Sequence, residues 1–141
     1  MPKLVVLDPG TANERRVWQT FCNWLALIAA AYFGAPLKPV SANEQWAYLH
    51  SFEAQEDGWV QLGSEEEARS TAAEGILVLA VMQGAEHGHI AVVLESDPDS
   101  PRVTSVCSAG GVNHRRCTLA QSFGATPENP VSFFAYPKGN R

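Results

Sequence analysis

Residues 76–94 read ILVLAVMQGAEHGHIAVVL, and this stretch decides the fold. Two apolar runs, at 76–82 and 90–94, flank a short segment that contains two glycines and two histidines. Apolar, β-branched runs of this length on either side of a glycine-containing turn are typical of an antiparallel hairpin. Two further strands are predicted, at 103–108 and at 131–136. The second half of the chain therefore predicts an antiparallel sheet.

The apolar periodicity of the first half of the chain predicts helices. The strongest signal is an apolar stripe that ends at Gly34 and Pro36, in the order typical of a helix C-terminus. This stripe comprises Val17, Phe21, Trp24, Leu25, Ile28, Ala29 and Tyr32.

Two more helices are predicted before the first strand. One begins at Ser41 or Asn43 as its N-cap and runs to about residue 52. The other covers 64–74, where a Ser-x-x-Glu capping box stands at its start and a glycine follows its end. Helices followed by strands predict an α+β fold, with the N-terminal helices on one face of a small antiparallel sheet.

Composition and charge limit the classes of function. A length of 141 residues fits one domain over 1–141, and the net charge of −5 argues against binding a phosphate backbone, so no nucleic acid partner is expected. The apolar N-terminal run is too short for a signal peptide, and the longest apolar stretch, 24–34, is too short to insert into a membrane. Three cysteines without a C-x-x-C pair are too few for a disulfide scaffold, although a bridge between Cys107 and Cys117 stays open.

One cysteine and one histidine stand where they can do chemistry together. Cys22 lies on or near the first turn of the main helix, where N–H groups and the helix dipole stabilise a thiolate. How much help it receives depends on whether Thr20 or Asn13 caps that helix. His89 opens a strand after Gly88, and a helix cysteine facing a strand histidine is the geometry for attack on an acyl carbon. The plainer interpretation is a buried packing cysteine and a surface histidine.

The surroundings of these two residues resemble a known family. Residues 20–24 read TFCNW before an apolar helix, and residues 88–93 read GHIAVV, as in the CHAP and NlpC-like branch of papain-like cysteine hydrolases. Together with the segments at 41–43, 58–59 and 72–75, this ordered set is similar to the type VI secretion peptidoglycan amidase effectors. The resemblance implies a peptidoglycan amidase or endopeptidase that uses a Cys22–His89 dyad and no cofactor. The effectors typically cleave between D-glutamate and diaminopimelate.

A third group should orient the ring of His89. In the implied fold it comes from the next strand, 103–108, where CHAP enzymes usually carry a glutamate and this chain has no carboxylate. The remaining candidates for the group that orients His89 are Ser108, Cys107 and a backbone carbonyl. Strand alternation puts the two side chains on opposite faces, and we favour Ser108.

The oxyanion of the reaction needs two hydrogen-bond donors. The resemblance makes the backbone N–H of Cys22 the default first donor. CHAP enzymes place a glutamine just before the cysteine, but Phe21 stands there in this chain. Gln19 and Asn23 are the alternative second donors, and either could be a plain surface amide.

Substrate contacts are predicted at the small-residue loop after the third predicted strand, 103–108. Gly110 and Asn113 lie in this loop, which could form a cleft wall or be a plain turn, and Trp46 could line the cleft or belong to the core. No metal site is expected, because the pair His87 and His89 lacks further ligands at convincing spacing.

The resemblance also implies where such a protein works. It predicts synthesis in the cytoplasm without a signal peptide, export by a dedicated apparatus, and action as a monomer on peptidoglycan peptides in the periplasm of a target cell. It further implies an immunity protein in the producing cell. Two rivals stay open: a protease or acyltransferase acting on a protein substrate, and a non-catalytic binding module in which Cys22 only packs.

Overall fold

Helices and strands are interspersed along the chain, whereas the sequence predicted helices first and strands afterwards. The computed structural model describes residues 21–108, 114–124 and 128–139. Its elements in chain order are α1 Phe21–Phe33, α2 Ala42–Leu49, α3 Phe52–Asp57, β1 Val60–Leu62, α4 Glu65–Ala73, β2 Leu77–Met82, β3 His89–Leu94, β4 Ser105–Ser108, β5 His114–Thr118, α5 Leu119–Ser122 and β6 Ser132–Tyr136. The α+β class predicted from the sequence is confirmed.

The six strands form one antiparallel sheet in the order β1-β6-β2-β3-β4-β5. The predicted hairpin is confirmed as β2 and β3, with Met82 opposite His89 next to the connecting segment. The last strand, β6, lies between β1 and β2. Strands β1 and β5 and helices α3 and α5 were not predicted, because each is only three to six residues long and shows little periodicity.

Helices cover both faces of the sheet, so the prediction that they pack on one face is wrong. Helices α1 to α3 cover one face, here called the α1 face, to which Leu79 and Ile90 belong. Helix α4 and Phe123, just after α5, cover the opposite α4 face, to which Ala80 and Ala91 belong. The physical reason lies in β2, whose residues 77–81 are all buried. A strand with two apolar faces needs cover on both.

Helix α1 buries a face different from the predicted stripe. Cys22, Ala26 and Ala30 are 1%, 1% and 2% exposed, whereas Trp24 and Tyr32 are 44% and 76% exposed. Small side chains four residues apart let the helix approach the sheet closely, and the larger apolar side chains then point outward. None of the helices in the described ranges has the length and apolar character to cross a bilayer.

Each of the next three helices, α2, α3 and α4, begins after a serine N-cap. Ser41 caps α2, and the predicted single helix to about residue 52 is in fact two, because the Ser51 hydroxyl accepts a hydrogen bond from the Ala54 N–H and begins α3. The predicted cap of α4 is confirmed, since the Ser64 hydroxyl accepts from the Glu67 N–H. Gly75, at φ 82°, follows that helix as predicted.

Candidate active site

Cys22 lies near the beginning of the described part of α1 and packs against the start of β3. Its thiol is surrounded by the backbone amides of Ile90, of Asn23 and of Cys22 itself, which favour the thiolate. Burial has the larger effect and raises the pKa of the Cys22 thiol. In the resting protein, burial therefore opposes the thiolate that a helix start favours. Thr20 and Asn13, the alternative caps, lie outside the described residues.

The segment 83–88 delivers His89 to the start of β3 and is fastened to α2. The side-chain amide of Asn43 donates to the Gly84 carbonyl at 2.9 Å and accepts from the Gly84 N–H at 2.9 Å. Gly88 lies against the same side chain, and a Cβ there would also come within 2.8 Å of the Met82 carbonyl oxygen. Only a glycine lets the backbone pass this point.

The imidazole of His89 is held by two serines and one aromatic ring. Its Nε2 lies 3.1 Å from Ser108 Oγ and 2.8 Å from Ser122 Oγ, and Ser122 Oγ donates to Ser108 Oγ at 2.9 Å. The Phe123 ring lies 4.6 Å from the imidazole, centroid to centroid. Burial lowers the pKa of His89 to about 4, so the ring is neutral at pH 7.

Cys22 and His89 both lie at the beginning of β3. The thiol lies on the α1 face at the amide of Ile90, whose nitrogen is bonded directly to the carbonyl carbon of His89. The imidazole packs on Phe123, which belongs to the core of the α4 face. Both hydrogen bonds described for the ring use Nε2, which leaves Nδ1 as the nitrogen for a reacting thiol.

Of the two side chains predicted to orient His89, the structure brings Ser108 to the ring. Cys107 lies on the other face of β4, opposite Val92, as strand alternation requires. Cys107 and Cys117 are free thiols, so the possible bridge between them is not formed.

The remaining predicted site residues are placed less favourably or fall outside the described residues. The side-chain amide of Asn23 donates to the Val40 carbonyl at 2.7 Å, which ties it to the segment before α2 and speaks against an oxyanion role. Trp46 is half-buried and stacks on His50 at 4.0 Å, which is the core role given as the alternative. Three residues lie outside the described ranges: Gln19, Gly110 and Asn113.

Sequence reasoning missed two contacts of the histidine, Ser122 and Phe123. Both residues stand at the end of α5. The start of this helix carries a complete capping box between Thr118 and Gln121. That Thr-x-x-Gln signature was readable in the sequence, but nothing in the pattern said that the helix would fold back on His89. Within the described ranges, no group of three or more His, Cys, Asp and Glu side chains could hold a metal ion.

The fold and site define an α+β protein with a buried thiol and a neutral, hydrogen-bonded imidazole at one strand end. The chain is distantly related to the peptidoglycan amidase Tse1 of Pseudomonas aeruginosa, with 26% identity over 132 residues. The match covers 90% of this chain and 79% of Tse1. This relationship confirms the resemblance to peptidoglycan amidases. No protein-family model matches the chain.

Proposed function

We propose that the protein is a papain-like cysteine amidase that hydrolyses amide bonds in the stem peptides of peptidoglycan. Cys22 is the nucleophile and His89 the general base. The observation that carries the proposal is the position of the Cys22 thiol at the Ile90 amide, one residue after His89, in a relative of a peptidoglycan amidase.

The reaction begins from a thiol and a neutral imidazole. Nδ1 of His89 takes the thiol proton while Sγ of Cys22 attacks the amide carbonyl carbon. The oxyanion accepts a hydrogen bond from the backbone N–H of Cys22. The C–N bond then breaks and the leaving amine takes the proton from Nδ1, which leaves a thioester. Water, losing a proton to Nδ1, attacks this thioester; the acid leaves and the proton returns to the sulfur.

The proposal extends to the place of action. The protein works without a cofactor, as an antibacterial effector that cuts between D-glutamate and diaminopimelate in the periplasm of a target cell. An immunity protein in the producing cell covers the cleft. These features rest on the resemblance of residues 20–24 and 88–93 to the effector amidases.

Digestion of purified sacculi tests the central step. Wild type, Cys22→Ala and Cys117→Ala are incubated with sacculi, and the released fragments are identified by mass spectrometry. Cys117 is the matched control, because it is also a buried cysteine but lies on the α4 face among apolar side chains. We expect stem-peptide fragments from wild type and Cys117→Ala, with release by Cys22→Ala reduced by about 1,000-fold or more.

Equal release by wild type and Cys22→Ala would refute the proposal. The same result would favour the binding module in which Cys22 only packs, a role with which its 1% exposure is compatible. Alkylation by iodoacetamide does not separate these two, since burial raises the pKa of the thiol in either case. Intact sacculi together with cleavage of a protein or model thioester would favour the protease or acyltransferase.

A further inference from the structure

We infer that Ser122, together with Ser108, is a positioning residue that holds the imidazole of His89 with its proton on Nε2. The pair would then do the work that a carboxylate or an amide does in other thiol hydrolases. This inference rests on the proposed function for its catalytic meaning, but the hydrogen-bonded state of the ring can be measured without any substrate.

The three polar groups form a closed triangle. Nε2 of His89 lies 2.8 Å from Ser122 Oγ and 3.1 Å from Ser108 Oγ, and the two hydroxyl oxygens lie 2.9 Å apart. The shorter contact is the one to Ser122, which donates its own proton to Ser108. Ser122 therefore accepts the Nε2–H, and Ser108 accepts from Ser122 and supports it.

The position of Ser122 is fixed by the chain on either side of it. The capping box closes the start of α5, because the Thr118 hydroxyl accepts from the Gln121 N–H and the Gln121 side chain accepts from the Thr118 N–H. The Leu119 N–H donates to the Thr104 carbonyl at 2.9 Å, which ties α5 to the segment before β4. Phe123, 3% exposed, closes the other end and contacts the imidazole.

Burial makes this triangle more than an accidental contact. Ser108 is only 4% exposed on a face built mainly of apolar side chains, where a hydroxyl without a partner costs roughly 1–3 kcal/mol. Three polar groups that satisfy one another avoid this cost. They also select one tautomer, because a proton on Nε2 leaves the lone pair of Nδ1 free to accept the proton of a thiol.

Serine hydroxyls orient the ring but cannot neutralise its charge. The pKa of His89 falls through burial alone, and no charged side chain in the described part of the chain raises it. A hydroxyl pair thus fits a base that is neutral at rest and charged only while the reaction runs. A carboxylate at the same place would keep the imidazolium at higher pH.

The state of the ring is measured by nitrogen NMR on protein labelled with ¹⁵N-histidine. His89→Gln identifies the His89 signals among those of the four histidines. The variants are Ser122→Ala, Ser122→Thr, Ser108→Ala and the double alanine variant. Ser70→Ala is the control, since Ser70 is an exposed serine whose hydroxyl donates only to the Glu67 carbonyl. We expect an Nε2-protonated neutral ring in wild type, Ser122→Thr and the control, and a tautomer mixture in the double variant.

The same variants are then assayed on sacculi. We expect Ser122→Ala to lower kcat by about 10- to 100-fold with KM changed less than twofold, and Ser122→Thr to recover most of the loss. Ser122→Asp adds a readout that a merely structural role would not move: the acid limb of the pH–rate profile should shift to higher pH as the new carboxylate supports the imidazolium.

An unchanged tautomer in the double alanine variant would overturn the inference. An acid limb that stays in place in folded Ser122→Asp would do the same, because it would mean that residue 122 does not touch the ring. An inactive wild type would instead refute the proposed function. The NMR measurement would still test whether the two serines hold the proton of His89 on Nε2.

Discussion

At the scale of single residues, burial shifts the pKa values of the two groups of the proposed dyad in opposite directions. Each shift favours the uncharged form. It raises the pKa of the Cys22 thiol and lowers the pKa of His89 to about 4. Both groups are therefore neutral at pH 7. In the proposed reaction, the proton moves from sulfur to nitrogen only when substrate is attacked, unlike the preformed ion pair that a helix-start cysteine suggests.

The missing side chain at Gly88 is a second residue-scale requirement. Gly88→Ala would bring a Cβ against the Asn43 side chain and within 2.8 Å of the Met82 carbonyl oxygen. The segment before His89 must then shift, and we expect amidase activity to fall by at least about tenfold and the free energy of unfolding by about 1–3 kcal/mol. Sacculus digestion and urea unfolding measure the two effects.

Gly124→Ala is the matched control for that substitution. A Cβ on Gly124 meets no atom within 4 Å, so stability and activity should stay at the wild-type level. Equal behaviour of the two variants would mean that the contact between Gly88 and α2 does not position His89.

At the scale of elements, the packing of α1 depends on small side chains. Its contact with the sheet is made by Cys22, Ala26 and Ala30, which leaves little space between the helix axis and β3. Such a face holds the thiol close to the strand that carries His89. A larger side chain in the middle of it would lift the helix away from the strand.

Ala26→Leu tests this arrangement. Ala26 is 1% exposed, so the three added carbon atoms must displace neighbouring atoms, and we expect the free energy of unfolding to fall by about 1–3 kcal/mol in urea titrations. The control is Ile28→Leu, at a side chain 48% exposed on the outer face, where the change should stay within about 0.5 kcal/mol. A stable Ala26→Leu variant would contradict the close approach of α1.

The long apolar elements were predictable from the sequence, and the short ones were not. Periodicity and turn signals found the β2–β3 hairpin and the cap of α4 at Ser64, because local chemistry decides them. The buried side of α1 was predicted wrongly: apolar periodicity favoured Trp24 and Tyr32, whereas tertiary packing selected alanines. Only the sheet itself determines which stripe fits against it.

Parts of the candidate site were predictable from the sequence, namely those in which the residue type or strand alternation determines which side chain reaches the site. Alternation chose Ser108 over Cys107 on β4, and the structure agrees. Ser122 could not be found in this way, since it lies on α5, 33 residues along the chain from His89. The charge state of Cys22 was also out of reach, because burial depends on the whole core.

At the scale of the whole molecule, the sheet is enclosed on both faces and the site lies where those faces meet. The thiol belongs to the core of the α1 face and the imidazole packs on Phe123 of the α4 core, so we expect that both cores must be intact to hold the two groups at β3. Stability and chemistry are thereby linked through His89, which is half-buried and neutral in the folded chain.

This link predicts how stability depends on pH. The folded pKa of His89, about 4, lies below the unfolded value of roughly 6.5, so between these values the unfolded chain binds a proton that the folded chain does not. The free energy of unfolding should therefore fall as pH drops from 6.5 to 4, by on the order of 3 kcal/mol at most from this residue. Above pH 6.5 this contribution is constant.

Urea unfolding of wild type and His89→Gln between pH 7 and pH 4 measures it. Carboxylates that titrate in this range affect both proteins alike, so the difference between the two curves isolates the histidine. Parallel curves would contradict a buried neutral imidazole.

The position of β6 between β1 and β2 has a consequence for synthesis on the ribosome. The strand at residues 132–136 is made after the strands on either side of it, yet it fills a gap inside the sheet. Phe134 and Phe133 complete the α1 and α4 cores, so a nascent chain that lacks them has neither core closed. We therefore expect a nascent chain to lack the proposed hydrolytic activity until residues 132–136 have been made and have entered the sheet.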